Sequence, residues 1–115
     1  MIAAVLLWAL AQTATPHLNC EFGPIERRYG DGDWLVFACD DRSSVIVVSK
    51  RADIIGTFVY VLHLRGGHYV VDGEGNGRKA SGDAAYDALV ALGDDGVRRL
   101  LSAVLAGLAG RGEKR

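Results

Sequence analysis

Phe58-Val59-Tyr60-Val61-Leu62-His63-Leu64-Arg65-Gly66-Gly67-His68-Tyr69-Val70-Val71-Asp72-Gly73-Glu74 is the stretch that decides the fold. β-Branched and aromatic residues dominate both of its halves, the composition of strands. The Gly66-Gly67 pair between them suits a two-residue hairpin turn, whose central residues need positive φ. That turn fixes a register: Arg65 opposes His68, Leu64 opposes Tyr69, and His63 opposes Val70. Paired residues, and residues two apart, point the same way. One face then carries Phe58, Tyr60, Leu62, Leu64, Tyr69 and Val71, and has to be covered. The other carries Val59, Val61, His63, Arg65, His68, Val70, Asp72 and Glu74. It is apolar at its base and polar toward the tip, so part of it is expected to face water.

Upstream, Trp34–Asp40 and Ser44–Lys50 read as two more strands, joined by a turn at Asp41-Arg42-Ser43, with residues 51–57 as a connection. Short connections make sequential strands neighbours, which gives an antiparallel meander of about four strands. Residues 21–33 hold three glycines, a proline and six charges and read as loop. Downstream the period changes. Ser81 or Asp83 is placed to cap a helix over residues 84–92, with Gly93 as its left-handed stop. Asp94 or Asp95 opens a second helix. There Val97, Leu100, Leu101, Val104, Leu105 and Leu108 form an amphipathic stripe. Strands followed by helices predict an α+β fold, with two C-terminal helices packed on one face of the sheet. The expected organisation is a single domain over residues 34–110, preceded by a stapled loop segment at 12–33 and followed by a charged tail at 111–115.

The remaining chain sets compartment and chemistry. With 115 residues there is room for one small domain. Thirteen basic against 14 acidic residues argue against a nucleic-acid partner, which calls for a basic face. No apolar run reaches the roughly 18 residues of a membrane-spanning helix, so no stable membrane anchor is expected. Residues 1–11, MIAAVLLWALA, are apolar and uncharged, and small and chain-breaking residues follow. They read as a signal peptide without its basic n-region, with Ala9-Leu10-Ala11 as the small-x-small site and Gln12 as the mature N-terminus. In an exported protein Cys20 and Cys39 are expected to form one disulfide, closing a loop of about 20 residues and contributing roughly 3 kcal/mol. Eighteen intervening residues are not a C-x-x-C redox spacing.

Two groupings hold chemistry-bearing residues. His63, His68 and Asp72 share the mixed face of the hairpin and are candidates for a metal or acid–base site, one ligand short of a zinc set. Gly75, Gly77, Arg78 and Lys79 lie in a glycine-rich loop ahead of a helix and are candidates for holding a small anion. The dinucleotide-like Gly75-x-Gly77-x-x-Ala80 lacks the βαβ context such a fingerprint requires, so no cofactor is expected. Gly-x-Ser-x-Gly is absent, and Asp40-Asp41 and Asp94-Asp95 read as turn and cap residues.

Phe37-Ala38-Cys39-Asp40-Asp41 followed by Val45-Ile46-Val47-Val48 resembles an early strand of the small periplasmic inhibitors of c-type lysozymes. That resemblance implies a β-rich barrel and a protein that blocks a cell-envelope enzyme. The family's inhibitory loop, rich in Ser, Gly, Tyr and Lys, has no counterpart in this chain, and C-terminal helices are foreign to that barrel. The expected function is therefore a small exported, non-enzymatic binding or structural domain, periplasmic or secreted. Its partner is an unknown protein or small ligand of the cell envelope. An inhibitor-like binder is the first alternative, and a metal-dependent module built on His63, His68 and Asp72 the second.

Overall fold

A computed structural model describes residues 18–77 and 79–113, with side chains as far as Gly107. The expected leader at 1–11, its cleavage site at Gln12 and the candidate anion ligand Arg78 lie outside the described residues. The chain is an α+β fold. Strands β1 (Phe22–Tyr29), β2 (Gly32–Ala38), β3 (Val45–Ser49), β4 (Phe58–Arg65) and β5 (His68–Gly75) form one antiparallel sheet in sequence order. A four-residue helix, α1 (Ala52–Ile55), connects β3 to β4, and a long helix, α2 (Lys79–Glu113), follows the sheet.

The hairpin register is the one the Gly-Gly turn dictates: Arg65 pairs with His68, Leu64 with Tyr69 and His63 with Val70, and the ladder continues to Phe58 and Gly75. Both turn glycines have positive φ, 61° and 85°. Three expectations need correction. The sheet has five strands, because residues 22–29, read as loop, form β1. Its charges are those of an edge strand wetted on one side: Arg28 pairs with Asp33, and Lys50 reaches Glu26. Pro24 sits in the bulge between Phe22 and Ile25, where an edge strand tolerates it. Gly30, at φ 61°, turns β1 into β2.

The second correction is that one long helical element replaces two separate helices. Gly93 is its single non-helical residue (φ 67°, ψ 179°), so the expected stop is a kink. The helix starts at Lys79, ahead of both expected caps. Ser81 is buried within the helix, and Asp83 instead pairs with Lys79 one turn back. The helix also runs to Glu113, into the stretch read as a charged tail. Third, Leu64 is 44% exposed, although it lies on the covered side of the hairpin.

The core sits between α2 and the face carrying Trp34, Val36, Ala38, Val45, Val47, Phe58, Tyr60 and Leu62, all buried. From α2 it receives Ala85 and Leu89 before the kink and Val97, Leu100 and Val104 after it. Leu101 and Leu105 pack at the margin, partly buried. Trp34 is central. Its Nε1–H donates to the Tyr29 carbonyl (3.1 Å), and its ring lies 5.6 Å from Tyr60 and 6.2 Å from Phe58. The Tyr60 and Phe58 rings lie across Gly73 and Gly75 of β5, where a Cβ atom would overlap them. Glycine within a strand is destabilising in itself; here Gly73, and Gly75 at the strand end, make room for aromatic packing.

Candidate functional site

The hairpin and the helix kink hold most of the chemistry-bearing residues. His63 and Asp72, diagonal neighbours across β4 and β5, are in contact, with Nε2 2.6 Å from Oδ2. This hydrogen bond holds the Asp72 carboxyl below its usual range. His68 does not join them. Its Nδ1 lies 2.8 Å from Asp94 Oδ2, and the Tyr69 amide donates to Asp94 Oδ1 (2.9 Å). The bond from His68, and then the one from the Tyr69 amide, depress the Asp94 carboxyl as well. Asp94, expected as a helix cap, is thus a clasp that fastens the kink of α2 to the start of β5. Tyr69 adds a second tie, its hydroxyl donating to the Ser43 carbonyl in the β2–β3 turn (2.6 Å). The structure therefore divides the two histidines between two carboxylates, His63 to Asp72 and His68 to Asp94. Among the described residues no three His, Cys, Asp or Glu side chains converge in a way that would hold a metal ion.

The candidate anion loop is occupied by its own packing. Gly75 ends β5 under the Phe58 ring, and Gly77 lies against Gly56 and the Ile55 carbonyl with no room for a side chain. Lys79 is engaged with Asp83 (2.8 Å). The Cys20–Cys39 disulfide is formed. The Asp40 amide donates to the Asn19 carbonyl beside it, which draws the start of the described chain against the end of β2.

Two surfaces are more distinctive. The first is the sheet face turned away from α2. Register places Leu35, Val48 and Val59 in one row and Phe37, Ile46 and Val61 in the next, with Val70 adjoining. All seven are only partly buried, and among the described residues nothing covers them. Glu26, Glu74 and Asp72 stand at the ends of these rows. The hairpin alone announced Val59, Val61 and Val70. The rest was signalled by WLVFA and VIVV, runs apolar at every position, as strands apolar on both faces are.

The second surface is a groove between β5 and the part of α2 before the kink. A cavity of about 250 Å³ is lined by Tyr69, Val71, Tyr86, Leu89, Val90 and Val97. A neighbouring one of about 300 Å³ lies over Phe58, Tyr60, Gly73 and Gly75 and shares Tyr86. Tyr86 and Val90, not singled out from the sequence, are 42% and 51% exposed on this rim. They lie on the helix flank beside the Ala85–Leu89 stripe, where spacing alone does not tell margin from core.

No protein-family model, curated protein or solved structure matches this chain. Among the described residues no helix is long and apolar enough to cross a membrane.

Proposed function

We propose that this chain is an exported, disulfide-stapled domain that acts by binding a protein or small ligand of the cell envelope, without catalysis of its own. The observation that carries the reading is the open sheet face. Among the described residues nothing covers these seven contiguous apolar side chains, which are rimmed by charge, and such a patch on a small domain marks an interaction site. Export rests on the apolar leader-like run at 1–11, and the Cys20–Cys39 bond is compatible with an oxidising compartment.

The test is paired. Wild type and a Val48→Lys/Val61→Lys variant are used as baits in envelope extract of the native host. A partner retained by the wild type and lost by an equally folded variant supports the reading; equal retention, or none, sinks it. Intact mass of the protein from that host checks export, with a chain beginning at Gln12 as the expected species. Met1 retained on soluble cytoplasmic protein would remove the export half of the reading. The resemblance over residues 37–48 favours one narrower version, an inhibitor-like binder of an envelope enzyme. Unchanged activity of a c-type lysozyme under excess protein dismisses it.

A further inference from the structure

We propose that the outer edge of β5 docks an extended peptide whose side chains alternate between apolar and basic. With Gly66 and Gly67 both at positive φ, the tight turn makes Arg65 and His68 a hydrogen-bonded pair. Alternation then aims the N–H and C=O groups of Tyr69, Val71, Gly73 and Gly75 away from β4. Two observed bonds fix that phase. The Tyr69 amide, aimed outward, donates to Asp94, and the Asn76 amide, aimed inward, donates to the Thr57 carbonyl (3.0 Å). Among the described residues no strand pairs with this edge. Natural edges are usually blunted by proline, bulges or lysine. β5 has an unbroken register and no proline or lysine, and its outward backbone is flanked at two positions by glycine alone.

The two sides of that edge differ, and the difference specifies the peptide. On the helix side an incoming strand would run beside Val71 and Gly73, under exposed Tyr86 and Val90 and over the two cavities. These accept apolar side chains. On the other side its neighbours are Asp72 and Glu74, both exposed. An added strand alternates its side chains between the two sides, and opposite charges across a strand pair are favourable. Every second residue should therefore be apolar and the residues between them Lys or Arg. Main-chain bonds supply affinity and alternate pockets supply selectivity in this mode of recognition. The site adjoins the open sheet face at Asp72 and Glu74 but lies on the backbone edge of β5, and the proposal does not depend on what that face binds.

The probe is a blocked eight-residue peptide of alternating Val and Lys, titrated into the ¹⁵N-labelled disulfide-bonded protein. Saturable shifts at the Val71, Gly73 and Gly75 amides are expected. N-methylation of the peptide backbone should weaken binding about tenfold, as loss of a hydrogen bond or two implies. A Val/Glu peptide should bind more weakly than Val/Lys to wild type, and Glu74→Lys should reverse that order. Val71→Pro removes one outward donor without touching the β4 ladder, and should weaken binding. If that variant does not fold, Glu74→Lys and the methylated peptide decide. Equal binding of the methylated peptide, or no saturation, overturns the proposal. So do shifts confined to Leu35, Val48 and Val61, an outcome that would leave the open-face reading intact. Edge shifts that grow with protein concentration alone would assign β5 to a second copy and equally overturn it.

Discussion

Leu89→Ala tests how α2 is rotated against the sheet. Leu89 is fully buried, and its neighbour Val90 is 51% exposed on the groove rim. Truncation removes three carbon atoms from the core, about 2.4 kcal/mol at roughly 0.8 kcal/mol each. The vacated space adds to this, but it adjoins the groove beside Val71 and Val97, so neighbours can partly close on it. A total of about 3 kcal/mol follows, near the low end of measured leucine truncations. In a domain of this size that lowers Tm by roughly 12–24 °C. Val90→Ala loses little burial and gains helix propensity, so its effect should lie between zero and about 0.5 kcal/mol of stabilisation. Urea melts of both variants, with unchanged m-values, give the comparison directly. A Leu89→Ala cost below about 1 kcal/mol, or a Val90→Ala cost exceeding it, would refute the rotation. The helix would then be turned by about 100°, one residue's worth, and the groove would not exist as described.

Cys20→Ser/Cys39→Ser should lose about 3 kcal/mol, the chain-entropy contribution of closing this loop, visible as a lower urea midpoint than that of the oxidised protein. Gly73→Ala should cost roughly 1–3 kcal/mol, because its Cβ meets the Tyr60 ring, whereas Gly67→Ala meets nothing and costs only the left-handed conformation; paired thermal melts check both. The Asp94 carboxyl is depressed in the fold, so the stability it contributes is present above the ordinary carboxylate value near pH 4 and is lost as pH falls through the lower folded value. Asp94→Asn should therefore be less stable than wild type at pH 6 and draw level with it in strong acid; parallel curves from pH 6 to 2 would remove the clasp.

What could be read beforehand was whatever depended on local chemistry. Gly66-Gly67 sets a register that holds down to Phe58 and Gly75, and the Val97–Leu100–Val104 spacing finds the buried side of α2. β1 was hidden because an edge strand bears charges and tolerates proline, so Glu26, Arg27, Arg28 and Pro24 look like loop until Trp34 and Val36 are seen beside them. The clasp was hidden for another reason. Asp94 is 26 residues from His68, and its position after a helix-breaking glycine gives it the signature of a cap. The groove also needs long-range placement: Tyr86 and Val90 acquire meaning only once β5 lies beside them.

The disulfide also decides where a mechanical load would travel. Cys20 precedes the edge strand β1 and is bonded to Cys39 at the end of β2. A pull on the N-terminus therefore bypasses β1 and enters the sheet through Cys39. β1 lies inside the closed covalent loop and carries no tension, so it cannot be peeled away as an outermost strand otherwise would be. A tether attached ahead of Cys20 leaves the β1–β2 hairpin slack. Outside the closed loop, β3 to β5 and α2 carry the load, and as α2 is drawn off from its C-terminal end the Asp94 clasp yields before the hydrogen bond from the Tyr60 hydroxyl to the Gly82 carbonyl.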